Sequence, residues 1–73
     1  MFNVGDKVKI KADADAGLTA FQRAQREGIA CTVVGVYPGV MASGRDTVYA
    51  LDFEGNEWGH PSGFEASELE SAE

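Results

Sequence analysis

The sequence predicts a mainly β domain: a small five-stranded barrel with a short helix inserted after the first strand, at about residues 19–27. Three observations predict it. Residues 7–11 alternate apolar and polar side chains, and in 48–53 the large Tyr49, Leu51 and Phe53 alternate with Val48, Ala50 and Asp52, the period of two of half-buried strands. Glycine- and proline-bearing turns separate short β-branched or aromatic runs, which are the punctuation of a small all-β fold. Only residues 12–28 break that pattern in favour of helical spacing.

In Lys7-Val8-Lys9-Ile10-Lys11, Val8 and Ile10 face inward and three lysines face water, after a Gly5-Asp6 turn. The lysine ladder suits an anion-binding strip or, more plainly, the protection of a sheet edge. In the next segment Asp13, Asp15 and Gly17 make a loop, and Thr19-Ala20-Phe21-Gln22 fits a capping box. Leu18, Phe21 and Ala24 fall at helical spacing and Gly28 is placed to end the helix. Two turns of helix are unstable alone, so Leu18 and Phe21 must dock on the barrel. Gln22, Arg23, Gln25 and Arg26 are expected to face water, as a solvated surface or a partner contact.

Ile29 to Tyr37 is β-branched and nearly all apolar, which predicts the most buried strand, with a bulge or bend at Gly35. Cys31, the single cysteine, lies in this run. A catalytic thiol needs an electropositive, partly exposed setting, so Cys31 reads as a small buried hydrophobe. Pro38-Gly39 is a turn, followed by an exposed connection over residues 40–46 that carries apolar Val40 and Met41. These two either tuck against the barrel mouth or contact a partner.

Thr47 to Trp58 (TVYALDFEGNEW) is the centre of the pattern. Tyr49, Leu51 and Phe53 alternate along a strand, residues 54–57 form a turn, and Trp58 is expected to open the return strand of a hairpin. Pro61 and the flanking glycines then end regular pairing. A single helical turn within 65–70 leads to a brief last strand at Leu69, so that Phe64 and Leu69 cap the barrel. Residues 71–73 are expected to fray.

Length and charge bound the function. Seventy-three residues allow one domain, which buries about 60% of its unfolded surface. Residues 1–28 carry five basic against four acidic side chains, and residues 29–73 carry one against eight, which gives the net charge of −6. Such a balance disfavours direct binding to a phosphate backbone. It suits plain solubility, a partner with a basic surface, or imitation of nucleic acid. A lone cysteine makes neither an internal disulfide nor a zinc site, which favours a reducing, cytoplasmic setting. No basic-then-apolar leader and no long apolar run is present, so neither secretion nor membrane spanning is expected. No glycine pattern matches a phosphate loop, and no cofactor or metal is expected.

The order of these signals resembles that of small bacterial SH3-like domains. Val4-Gly5-Asp6-Lys7-Val8-Lys9-Ile10 resembles their common "VGD-x-V" start, and the likeness extends through Thr32-Val33-Val34, Tyr49-Ala50-Leu51-Asp52-Phe53 and Glu68-Leu69-Glu70. The chain is similar to the variable subunit of ferredoxin–thioredoxin reductase and to the barrel domain of the nitrile hydratase β-subunit, the latter also at Glu57-Trp58-Gly59. In both families the barrel supports or docks on a catalytic partner, and that role is what the resemblance implies here. The plasmid-borne trimethoprim-resistant dihydrofolate reductase is a third barrel of this size. Its pore carries Val-Gln-Ile-Tyr before a proline, whereas this chain reads Glu57-Trp58-Gly59-His60 before Pro61, with no agreement.

The functional expectation is therefore a non-catalytic protein-binding module, an accessory subunit or small inhibitor docking on a larger protein. Its candidate contacts are Trp58, Glu57, Glu54, His60, Val40 and Met41. One alternative is an acidic decoy that mimics nucleic acid, such as a phage-type inhibitor. Another is a small oligomeric enzyme or enzyme subunit using His60 with Glu57 or Glu65 as an acid–base pair. Exposed strand edges would also let copies of the chain pair with each other.

Overall fold

The structure, a computed structural model, describes residues 2–38 and 47–72. Five antiparallel strands form one sheet: β1 (Lys7–Ile10), β2 (Cys31–Tyr37), β3 (Val48–Asp52), β4 (Ser62–Glu65) and β5 (Leu69–Ser71). One helix, α1 (Thr19–Glu27), lies between β1 and β2, and a 3₁₀ turn (Ala66–Glu68) joins β4 to β5. The strand order is β4-β3-β2-β1-β5. The mainly β fold, the five strands and the inserted helix are as the sequence predicts. The closed barrel is not: β4 and β5 are the two edges, and no ladder joins them. Only the 3₁₀ turn links those edges, and its few residues reach on the order of 13 Å, so the sheet curls strongly without closing.

The alternation in β1 and β3 does what the sequence indicates: Val8, Ile10, Tyr49 and Leu51 are buried. β1 is an interior strand between β2 and β5, however, so its lysines protect no edge. Lys7 instead donates through Nζ to Thr32 Oγ1 on the neighbouring strand. β2 is shorter and less buried than expected, because Ile29 and Ala30 precede it and Val34 and Tyr37 are exposed. Val34 points out by simple alternation after buried Val33, and a bulge follows: Val33 faces Leu51 and Gly35 faces Ala50, a one-residue shift that puts Val36 opposite buried Tyr49 and turns Tyr37 to solvent. The last ladder reaches Ser71, opposite Val8, and the Ala72 N–H donates to the Lys7 carbonyl at 3.0 Å.

The helix docks on the core of the sheet through Phe21 and Ala24. Phe21 is fully buried, edge-on to Phe53 (centroids 5.1 Å, 86°) and tilted against Phe64 (5.7 Å). Phe64 and Leu69 are both core residues, as expected. Gly28 ends the helix at φ 69°, a left-handed conformation that glycine adopts without steric cost. The capping box at its start does not form. Leu18 is the N-cap, and the Gln22 side chain donates back to the Gly17 carbonyl at 3.1 Å. A reciprocal box forms instead around the 3₁₀ turn, where Glu68 accepts from the Glu65 N–H and the Glu65 carboxylate accepts in return. Gln25 does not simply face water: its amide donates to the carbonyls of Lys11 and Ala14, both at 2.6 Å, and pins the β1–α1 loop to the helix.

Candidate functional site

Trp58 does not open the return strand. β4 begins at Ser62, and residues 53–61 form an ordered loop instead. Its centre is Asn56, whose Nδ2 donates to Asp52 Oδ1 and to the His60 carbonyl, both at 2.8 Å, and whose Oδ1 accepts the Trp58 N–H at 3.0 Å. The Asn56 N–H itself donates to the Phe53 carbonyl, with Gly55 at φ 93° as the third residue of that turn. Side-chain bonds of this kind satisfy the backbone locally and compete with a sheet ladder, which is why pairing resumes only after Pro61.

The loop holds Trp58 out. Trp58 is 46% exposed, and its ring meets that of His60 in a T-shaped contact (5.2 Å, 77°). Glu54 lies exposed on the turn, away from the groove described below. Glu57 reaches the helix: its Oε1 accepts from Arg23 Nη1 at 2.6 Å. Arg23 also lies 3.7 Å, through Nε, from Glu27 one helical turn on. Between the helix and the loop runs an open groove of about 430 Å³, lined by Leu18, Thr19, Ala20, Arg23, Arg26, Glu57 and Trp58.

The structure thus brings Glu57, Trp58 and His60 together and adds a helix face to them. Val40 and Met41 lie outside the described residues. Arg23 and Arg26 are legible in the sequence as one polar helix face, but their place opposite Glu57 and Trp58 is not, because 34 positions separate Arg23 from Glu57. Of the residues considered as an acid–base pair, the His60 ring meets Trp58, Glu57 accepts from Arg23, and Glu65 takes part in the capping box of the 3₁₀ turn.

Cys31 is fully buried in the core, with Sγ 3.8 Å from the Ile29 carbonyl. Burial, reinforced by the nearby Asp52 carboxylate, pushes its thiol from 9.0 up to about 11. Among the described residues no group of three or more His, Cys, Asp or Glu side chains is placed to hold a metal ion. Nor is any helix there long and apolar enough to cross a membrane. Comparison of the chain with protein-family models, curated proteins and solved structures yields no match.

Proposed function

We propose that the chain is a non-catalytic protein-binding module of SH3-like topology, an accessory subunit or small inhibitor that docks on a larger protein through the Trp58 groove. The observation that carries this reading is the placement of Trp58. The sole tryptophan stands nearly half exposed at the rim of an open groove, on a loop that Asn56 holds in shape. Tryptophan is enriched among residues that dominate binding energy, and a pre-formed loop lowers the ordering cost of association. The five short strands, the bulge in β2 and the 3₁₀ turn before the last strand support the SH3-like part of the reading.

Affinity capture with the wild-type chain and with Trp58→Ala, each first checked for unchanged thermal unfolding, tests the proposal. A protein retained by the wild type and lost with the variant is the expected result. Identical retained proteins at unchanged stability would remove Trp58 from the binding surface.

A further inference from the structure

We infer that the groove accepts a short extended peptide segment in which a carboxylate side chain lies beside an apolar one. The inference rests on the docking function proposed above and names the chemistry of its partner.

The argument begins with the helix. Residues 19, 23 and 26 fall one to two turns apart and share a face, so Thr19, Arg23 and Arg26 form one stripe along the groove. The stripe is about 10 Å long, the span of three residues of extended chain. Leu18, Ala20 and the exposed indole of Trp58 supply apolar surface along it.

The charges of the groove are not equivalent. Glu57 and Glu27 both lie against Arg23, so the carboxylate that would draw a basic ligand is already occupied. Arg26 lines the same groove, is exposed, and has no carboxylate within ion-pair distance among the described residues. Two cations against one carboxylate line a groove on a chain of net charge −6. With Glu27 beside Arg23 the local charge is balanced where the chain as a whole is acidic, and Arg26 is the cation left over for a ligand. A lysine- or arginine-bearing segment would be attracted by the acidic body but would meet Arg26 in the groove. A segment bearing Asp or Glu finds its complement there, a planar guanidinium suited to a carboxylate. Electrostatic complementarity of this sort selects the partner and its register more than it raises affinity.

The test is an array of blocked five-residue peptides in which Glu, Gln or Lys stands next to, or one residue from, Leu, Phe or Pro. Binding is read on the array and confirmed in solution by the fluorescence of Trp58, the only tryptophan. The Glu members should bind, their Gln counterparts about two- to fivefold more weakly, as one exposed ion pair provides, and the Lys members least. Arg26→Gln, at an exposed position where folding is not at stake, should erase the preference for Glu over Gln while the need for the apolar neighbour persists. Equal binding of Glu and Gln members, a lead for Lys, survival of the preference in Arg26→Gln, or an array without any binder would each overturn the inference. If the protein retained in the capture experiment is still lost with Trp58→Ala, the docking function stands without it. If that protein is not lost, both fail.

Discussion

Arg23 Nη1 and Glu57 Oε1 meet at 2.6 Å across the groove, tying the middle of the helix to the loop that carries Trp58. The Glu57 side chain is 73% exposed, so water and salt weaken the pair, and holding two long side chains costs entropy. A double-mutant cycle on Arg23→Ala and Glu57→Ala should give a coupling of about 0.2–1 kcal/mol in urea unfolding, shrinking as salt is raised. A coupling well above that range would mean that the pair is far better shielded than its exposure indicates.

Asn56 matters more to the loop than the ion pair does. Asn56→Ala removes two donated bonds and one accepted bond, and should destabilise the chain by about 1–2 kcal/mol. Trp58 should become more mobile, which lower fluorescence anisotropy of the indole would report. Asn56→Asp should be at least as harmful, since it sets a second carboxylate against that of Asp52. Unchanged anisotropy in both variants would show that Asn56 does not position Trp58.

For Cys31 the sign of the pH dependence follows from burial. The folded thiol ionises near 11 and the unfolded thiol near 9.0, so above pH 9 the unfolded state loses its proton first. Stability is therefore unaffected below pH 9, declines between about 9 and 11, and levels off above that. The measurement is the difference in unfolding free energy between wild type and Cys31→Ala across that window, which isolates the contribution of the thiol. A constant difference from pH 8 to 11 would contradict the assignment. At neutral pH the native thiol should react with a disulfide reagent only as fast as the core opens.

Two glycines in the sheet separate a rigid contact from a soft one. A Cβ at Gly63 would lie 2.7 Å from Val48 Cγ1, a short branched side chain with little freedom to move. Gly63→Ala should cost about 1–3 kcal/mol. A Cβ at Gly35 would meet the ring and hydroxyl of Tyr37 at 2.9–3.1 Å, but Tyr37 is 53% exposed and can swing into water. Gly35→Ala should cost clearly less. Thermal unfolding of the pair tests the order, with about 4–8 °C expected per kcal/mol in a chain of this size. A reversed order would mean that β4, the edge strand, yields more readily than the Tyr37 side chain.

The periodic parts of this fold are legible in the amino-acid sequence. Val8, Ile10, Tyr49 and Leu51 follow a period of two, and Phe21 and Ala24 a helical one, and all six are buried. The Trp58 segment is not legible in this way, because a tryptophan after a four-residue turn looks the same whether the chain returns at once or loops. What decides it is three bonds from one asparagine side chain, which no periodicity displays. The lysines of β1 suggest edge protection because alternation reports which face is wet, not which strands lie alongside. The groove is illegible for a simpler reason: neither of its walls is complete in any one stretch of sequence.

The 3₁₀ turn between β4 and β5 also sets an order in time. Both edges of the sheet are supplied by one ribbon, Ser62–Ser71, whose two halves pair with β3 on one side and β1 on the other. Val8 and Ser71, partners in the last ladder, are roughly sixty residues apart in the chain. Without that ribbon, β1, β2 and β3 can still pair with one another, but β1 and β3 each lack a neighbour. Phe21 meanwhile has Phe53 to pack on but not Phe64. Loop closure over that separation is slow compared with the local hairpin steps, and until the ribbon pairs, β1 and β3 present bare edges. The ribbon acts as a clasp: it covers the outer edges of β1 and β3, the two places where a three-stranded sheet would pair with a neighbouring molecule.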